Sequence, residues 1–314
     1  MKRISGSADE RISGSAGKRI RTSPLTRSSA HPLAVGIVGP GRAGIALAVA
    51  LRKAGVRVLG LHGRRRKKLP PGLRLSTGAL PAWLRSADVI LLAVQDDELR
   101  GLVAELSGPG VLRRGQIVLH LSGVRDSGVL NPLRRAGVVT GGLHPLMTAM
   151  GDAPVDAANL SLATFALEGS PRALRAGKSL AAAIRAATVR LRPGARALYH
   201  AGAVFAANYV VTMMATAEDL LVRAGYTRRG ARNALVPLSG AALVNVARSG
   251  PLLALTGPIV RGDAETVGLN LRSMRPAERD LYRCAGEVTL ALARKSGRLT
   301  AGRAAAVRRA LRHS

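Results

Sequence analysis

The chain has 314 residues, 47% of them hydrophobic, which is enough for two packed domains. Its formal net charge of +30 would suit a nucleic-acid partner, but aromatic residues make up only 2%, which leaves few stacking platforms for bases. The arginines are also scattered along the chain, so the composition argues against nucleic acid.

One cysteine excludes an internal disulfide and a cysteine-cluster metal site, and it fits a cytoplasmic location. The six histidines show no metal-ligand spacing, and no metal is predicted.

Residues 1–33 are predicted to be a disordered basic tail. They repeat one polar hexapeptide at Arg3–Ala8 and Arg11–Ala16, without helical or strand periodicity. No uninterrupted apolar stretch of the kind an export signal needs precedes Ala34.

Strand-like runs alternate with helical patterns from residue 34 to about residue 144, as a parallel βαβ architecture requires. The predicted strands cover residues 34–38, 56–61, 87–94, 117–121 and 138–143, with one more at 161–167, at the edge of the same sheet. These patterns predict an N-terminal α/β domain with a Rossmann parallel sheet over residues 34–170.

The remaining residues, 171–314, are predicted to form an all-α domain that holds substrate and forms a homodimer. Its helices are expected at residues 173–186, 197–224, 229–248, 277–295 and 300–311. The uncharged run Ala197–Ala217 is just long enough to cross a bilayer. Because it is rich in alanine and contains His200 and Asn208, we interpret it as buried helical core or dimer interface, and no membrane association is expected.

A glycine-rich turn follows the first predicted strand. Gly39 permits a tight turn, Gly41 lets the backbone approach a pyrophosphate, and Gly44 lets the next helix pack close to the sheet. The free amides of that helix start, at Arg42 and Ala43, favour an anion. Because the turn lies between a strand and a helix, it predicts a dinucleotide-binding loop.

The end of the second strand indicates which dinucleotide. NAD-binding proteins usually carry a carboxylate there, whereas this chain has a basic run that begins at Arg64. Guanidinium groups bind a 2′-phosphate with paired hydrogen bonds, so NADP is favoured over NAD, with Arg64, Arg65 and Arg42 as its ligands. The alternative is a solvated basic loop, which we expect for Lys67 and Lys68.

Ligands of open α/β sheets lie beyond the carboxyl ends of the strands, which places Val94, Gln95, Ser122 and His144 in the cleft. Hydride transfer to C=O or C=N needs an acid, and histidine suits neutral pH.

On one continuous helix, His200 and Asn208 would share a face two turns apart. We therefore expect His200 or His144 to donate the proton, and Asn208 and Ser122 to orient a small substrate. The alternative is that both histidines are packing residues.

Arg261 and Asp263 lie in a turn-rich loop of the helical domain. An arginine there suits a substrate carboxylate or phosphate. Alternatively, the two side chains pair with neighbours and only fix the loop.

Several short motifs together resemble a known group, the Rossmann-like proteins with a C-terminal domain of unknown function 2520. They are the glycine loop, Ala93-Val94-Gln95-Asp96-Asp97, Leu121-Ser122-Gly123, His144-Pro145, Tyr199-His200-Ala201, Ala207-Asn208-Tyr209, Thr256-Gly257-Pro258 and Arg261-Gly262-Asp263. That group is related to pyrroline-5-carboxylate reductases and deazaflavin-dependent NADP reductases. The resemblance implies a helical domain like the C-terminal domain of 6-phosphogluconate dehydrogenase, and an NADP-linked oxidoreductase acting on a small carbonyl or imine compound.

The chain departs from one relative of this group. In 3-hydroxyacid dehydrogenases the first helix of the second domain carries a catalytic lysine, followed one turn later by an asparagine. Asn208 matches the asparagine, but Phe205 stands at the lysine position, so the lysine mechanism does not carry over. A catalytically inactive NADP-sensing protein is therefore the alternative function, and a basic scaffold that contacts nucleic acid is a third.

Overall fold

The computed structural model describes residues 33–313. The predicted tail, apart from Leu33, lies outside them. Within the described residues the strands are β1 Ala34–Val38, β2 Arg57–His62, β3 Leu75–Ser76, β4 Val89–Leu92, β5 Ile117–His120, β6 Val139–Leu146, β7 Thr164–Gly169 and β8 Ala187–Arg190. They form a single sheet in the order β3-β2-β1-β4-β5-β6-β7-β8.

The strands are parallel except where β7 runs antiparallel to β6. Five of the predicted strands match β1, β2, β4, β5 and β6, and the sixth is β7, so the parallel Rossmann sheet is confirmed. Because β1, β4, β5 and the start of β6 are adjacent and parallel, their carboxyl ends meet at one edge of the sheet.

Helices cover both faces of this sheet. They are α1 Arg42–Lys53, α2 Trp83–Ser86, α3 Leu99–Leu106, α4 Asn131–Arg135, α5 Ala153–Asn159 and α6 Pro171–Ala183. The strand β4 reads Val-Ile-Leu-Leu and is fully buried, as a central parallel strand with both faces covered should be. On one face, α1 packs its run of buried residues Gly44–Leu51 against the sheet and α5.

Besides the short strand β3, which was not predicted, two features of the sheet differ from prediction. The strand β6 continues through His144 and Pro145 to Leu146, because its outer half pairs with the antiparallel β7 instead of turning away. The short β8 pairs with β7, so the predicted domain boundary at residue 170 falls inside the sheet. Its largely exposed Ala-Thr-Val-Arg sequence carries too weak an apolar alternation to be recognised alone.

After β8 the chain is helical, as predicted. The helices are α7 Arg196–Ala206, α8 Asn208–Arg223, α9 Arg228–Ala254, α10 Pro258–Arg261, α11 Ala264–Ser273, α12 Pro276–Lys295 and α13 Ala301–His313. The single helix expected over residues 197–224 is wrong, because Ala207 leaves the helical conformation at φ −122° and ψ −66°. The chain also leaves it within α9, at Gly250, where φ is +73°.

The interpretation of Ala197–Ala217 as buried core is also wrong for this single chain. Across α7, α8 and α9 only Arg196, Ala231 and Leu235 are buried. We call the exposed apolar side chains of these three helices the apolar face; its most exposed members are Leu198, Phe205, Val211, Val236, Leu238, Leu243 and Leu253.

Two stretches, Arg196–Arg223 and Arg228–Arg261, satisfy the length and hydropathy required of a membrane span. The first of them contains the uncharged run Ala197–Ala217. This criterion is weak, since core helices of soluble proteins also meet it.

The last four helices, α10 to α13, pack around a core of their own. Val267, Leu271, Leu290, Ala293 and Val307 are fully buried there. The helical region thus contains one well-packed cluster and one exposed pair of long helices, α8 and α9.

Candidate active site

The glycine loop has the geometry that close approach of a ligand requires. Gly39 has a φ of +106°, and a Cβ there would lie 2.4 Å from the carbonyl oxygen of Ala93. A Cβ on Gly44 would lie 2.2 Å from the carbonyl oxygen of Gly39. A Cβ on Gly41 would meet only the oxygen of Ala93, at 3.7 Å. Two glycines are therefore needed for packing, and the third, Gly41, keeps a cradle open.

The start of α1 faces this cradle without a competing anion. No side chain caps the helix at Gly41, and its first turn contains no acidic residue. The unpaired amides and the positive end of the helix dipole are therefore available to phosphate oxygens. These features fit a dinucleotide pyrophosphate.

A cleft of about 560 Å³ runs from the glycine loop across the neighbouring strand ends. Val94 and Gln95, which follow β4, line it together with Gly39 and Gly41. Ala43 and Gly44 belong to α1 and do not line this cleft, while Arg42 lines a smaller pocket on the other side of the loop with Lys67 and Lys68.

At the end of β2, Arg64 lines the cleft and forms an ion pair with Glu98 at the start of α3. The guanidinium group is largely exposed. Nearby, His62 Nδ1 lies 3.1 Å from Ser76 Oγ of β3, and burial lowers the pKa of His62 below its ordinary value. Arg65 is exposed and is not among the residues that line the cleft.

A second group of side chains lies at the same edge of the sheet, beyond β5 and β6. His144 Nδ1 is 2.7 Å from the hydroxyl of Tyr199, and the two rings meet edge to face. A Cβ on Gly123 would lie 2.7 Å from Cδ2 of His200 and 2.9 Å from Nε2 of His144. The absence of a side chain at Gly123 therefore lets both imidazoles meet over the β5 loop.

Beneath these rings is a buried charged cluster. Arg196 is 2% exposed, and its Nη1 donates to the carbonyl oxygen of Ser122 at 2.7 Å. Its Nε lies 3.3 Å from Glu168 Oε2, and His120 Nε2 lies 3.7 Å from Glu168 Oε1. Burial opposes ionisation of Glu168, but contact with His120 and the charge of Arg196 hold its pKa below the ordinary value.

The cluster shapes the titration of His144. Burial lowers the pKa of His144 to about 4, and the positive charge of Arg196 contributes in the same direction. The carboxylate of Asp96, in the loop after β4, partly opposes this shift. His144 is therefore a neutral imidazole at neutral pH, able to donate one N–H bond but not to store an extra proton.

The other predicted catalytic side chains are placed differently. Ser122 is buried, and its Oγ accepts from the amide of Arg125 at 2.9 Å, so it holds the loop after β5. Asn208 is exposed at the first position of α8. Ala207, between His200 and Asn208, departs from helical geometry, so the regular helix that the predicted shared face assumed is interrupted there.

Arg261 and Asp263 lie in the α10–α13 cluster. Asp263 caps α11, where it accepts from the amide and hydroxyl of Thr266 at 3.0 and 2.7 Å, and these bonds lower its pKa. Arg303 contacts the carbonyl oxygen of Arg261. These contacts favour the alternative in which the loop is only held in place.

Sequence reasoning missed the roles of Tyr199, Arg196, Glu168 and Glu98. Tyr199 and Gly123 stand within quoted motifs, but nothing local relates them to His144. Arg196 offered one weak signal, because it is the charged residue directly before the uncharged run Ala197–Ala217, and a buried arginine needs a partner.

Comparisons with known proteins agree with this architecture. Residues 21–145 match the model of a Rossmann-like domain, and residues 163–289 match a domain of unknown function, DUF2520. No protein of curated function matches the chain.

Solved structures share the fold at low sequence identity. A Bacteroides fragilis protein described as a candidate NADP oxidoreductase superposes with a TM-score of 0.67 at 20% identity, over 82% of this chain and 98% of its own. A Thermotoga maritima protein gives 0.62 at 18% identity, over 84% and 99%. The Plasmodium falciparum pyrroline carboxylate reductase, solved with NADP bound, gives 0.55 at 16% identity, over 84% and 97%. The chain thus combines a Rossmann-like domain with a domain of unknown function 2520 after it, on a fold that these structures share.

Proposed function

We propose that this protein is an NADP-dependent oxidoreductase that transfers hydride between NADP(H) and a small carbonyl or imine compound. One observation carries the proposal: the dinucleotide cleft and the His144–Tyr199–His200 group lie along the same edge of one sheet. The cleft follows the ends of β1, β2 and β4, and the histidines lie over β5 and β6. A dinucleotide held by the glycine loop would extend its nicotinamide toward the histidines.

The residues at each end support this orientation. Arg64 at the β2 end offers a guanidinium group to a 2′-phosphate, and no carboxylate follows β2 directly. The bound nicotinamide would supply or accept the hydride. At the other end, a neutral His144 would donate a hydrogen bond to the substrate oxygen or nitrogen, and His200 would contact the same group. One structural neighbour is a pyrroline carboxylate reductase, and pyrroline carboxylate contains such a C=N bond.

The proposal is tested by titrating the protein with NADPH and NADH and following nicotinamide fluorescence. We expect tighter binding of NADPH, and oxidation of NADPH in the presence of at least one member of a panel of keto acids, cyclic imines and deazaflavins. Equal or tighter binding of NADH would contradict the NADP assignment. Binding without turnover across the panel would favour the alternative, an NADP sensor, for which Phe205 at the lysine position is the supporting observation.

We also propose that a second copy of the chain covers the apolar face in a homodimer. Between Arg232 and Arg248, α9 carries no charged residue, yet most of its side chains are exposed. Helices with so few buried residues gain little stability alone, so they need a partner surface. The polar side chains Asn233, Ser239 and Asn245 along α9 suit a protein partner better than hydrocarbon.

Light scattering during size exclusion tests the dimer. We expect a dimer of the full chain, and a monomer for Leu243→Glu, whose side chain is 60% exposed on α9. Leu269→Glu on α11, 55% exposed and outside the apolar face, is the matched control and should stay dimeric. A monomeric wild type that floats with anionic liposomes would contradict the proposal and assign the face to a membrane surface.

A reductase of this kind would act in the cytoplasm.

A further inference from the structure

We infer that Tyr199 is a positioning residue that holds His144 as the tautomer with its proton on Nε2, so that Nε2–H is the group that protonates the substrate. The inference rests on the proposed function and names the residue that prepares its proton donor. It begins from the 2.7 Å contact between the Tyr199 hydroxyl and His144 Nδ1.

The direction of this hydrogen bond follows from the chemistry of the two groups. A neutral imidazole has one N–H and one bare nitrogen, and the partner of one nitrogen decides which of them carries the proton. A phenol hydroxyl is a better donor than acceptor, and an imidazole nitrogen is a strong acceptor. Tyr199 therefore donates to Nδ1, and the proton of His144 lies on Nε2.

The surroundings of His144 keep the ring neutral. Arg196, His120 and His200 face it with positive or potentially positive charge, and Asp96 is the carboxylate that opposes them. Burial of the ring lowers the pKa of His144 in the same direction as these three groups and outweighs Asp96. Burial also raises the pKa of Tyr199, so its hydroxyl keeps its proton at neutral pH.

Nε2 is placed to reach a substrate. It lies over Gly123, where a Cβ would approach it to 2.9 Å, at the sheet edge that the cleft follows. Nδ1 is turned toward α7 and Tyr199. The ring thus places its donor over the loop after β5, beside His200, and its acceptor against Tyr199 of α7.

The proton reaches the substrate in a two-step relay. Hydride adds to the carbonyl or imine carbon, and the electron pair of that double bond moves to oxygen or nitrogen. That atom takes the proton from Nε2 of His144, while Nδ1 takes the proton of the Tyr199 hydroxyl, so the imidazole stays neutral. A phenolate is left on Tyr199. Solvent then returns a proton to Nε2 of the half-buried His144, and Nδ1 gives its proton back to the phenolate, so the starting tautomer is restored.

The first test reads the tautomer directly, without activity. Long-range ¹H–¹⁵N spectra of the full-length ¹⁵N-labelled protein, with His144 assigned by its loss in His144→Gln, should show a protonated Nε2 and a bare Nδ1 at neutral pH. In Tyr199→Phe we expect a mixture of the two tautomers. A wild-type His144 protonated on Nδ1 would overturn the inference.

The second test uses turnover. Tyr199→Phe should lower kcat at least tenfold while the KM for NADPH stays near wild type. Tyr282→Phe, which loses a 3.1 Å hydrogen bond to Asn270 in the helical cluster, is the control and should match wild type. Wild-type kcat in Tyr199→Phe would overturn the inference. A wild-type protein that never oxidises NADPH would instead refute the proposed function, while the spectra still decide the role of Tyr199.

Discussion

Arg64 and Glu98 form an ion pair across the cleft that the glycine loop lines, joining the end of β2 to the start of α3. Among the described residues that line that cleft, Arg64 alone carries a guanidinium group, and this group is paired with a carboxylate. Because the Arg64 side chain is 80% exposed, the ion pair contributes less than about 1 kcal/mol to stability. A phosphate that accepts two hydrogen bonds from Arg64 can therefore displace Glu98.

This pairing predicts opposite effects of two substitutions on cofactor selection. Glu98→Gln should tighten NADPH binding about threefold, because Arg64 no longer has to leave a carboxylate and a repulsive charge is removed. Arg64→Ala should weaken NADPH binding about tenfold and leave NADH nearly unchanged.

Both effects are measured by fluorescence titration, with Arg66→Ala, two residues along the same exposed run, as the control. An unchanged preference in Arg64→Ala would assign the 2′-phosphate to the pocket formed by Arg42, Lys67 and Lys68.

Gly41→Ala should separate cofactor binding from folding. Its Cβ would make only an ordinary 3.7 Å contact with the protein, so the Tm should stay near wild type, but it would occupy the path of the pyrophosphate. We expect affinity for both NADPH and NADH to fall about tenfold or more. Gly302→Ala, at an open helical position in α13, is the control and should leave both cofactor affinities unchanged. A wild-type affinity in Gly41→Ala would show that the pyrophosphate does not bind at this loop.

His144 should make stability depend on pH. Its pKa is about 4 in the folded chain and near 6.5 when unfolded, so the unfolded chain binds the extra proton first as pH falls. The contribution is complete above about pH 6.5 and is lost toward pH 4, with a slope of about 1.4 kcal/mol per pH unit within that window.

Denaturant unfolding of wild type and His144→Gln at a series of pH values measures this. We expect the variant to have a flatter profile between pH 4 and 6.5, while His313→Gln, at the C-terminal end of α13, keeps the wild-type slope. The lowered pKa of Glu168 acts at more acid pH, where its contribution is lost as pH falls through its folded value. Identical slopes in wild type and His144→Gln would show that the ring is not held neutral by the fold.

The parts of the molecule that sequence could predict are those built from neighbouring residues. The strand β1, the glycine loop and α1 follow from one continuous pattern, in which apolar run, glycines and helix succeed one another. Val94, Gln95 and His144 were placed at the right edge because parallel strands share a carboxyl end.

The rest depended on contacts between distant residues or on local geometry without a sequence signal. Tyr199 and His144 are 55 residues apart in the chain. The antiparallel pairing with β7 extends β6 far enough to place His144 beside Tyr199. The irregularity at Ala207 involves neither glycine nor proline, so no residue type marks it in the sequence. Burial of Ala197–Ala217, in α7 and α8, was inferred from its apolar composition, which does not distinguish a covered core from an uncovered surface.

Arg196 should link the stability of the fold to the chemistry of the site. Arg196→Met removes the guanidinium group that pairs with Glu168, and removing one member of a buried ion pair costs about 3–5 kcal/mol. The double variant Arg196→Met with Glu168→Leu removes both charges and should recover part of that loss. Because the charge of Arg196 is one cause of the low pKa of His144, the single variant should also raise that pKa, although burial keeps it below 6.5. Denaturant unfolding gives the first effect and NMR titration of His144 the second; a wild-type pKa in Arg196→Met would show that burial alone keeps the imidazole neutral.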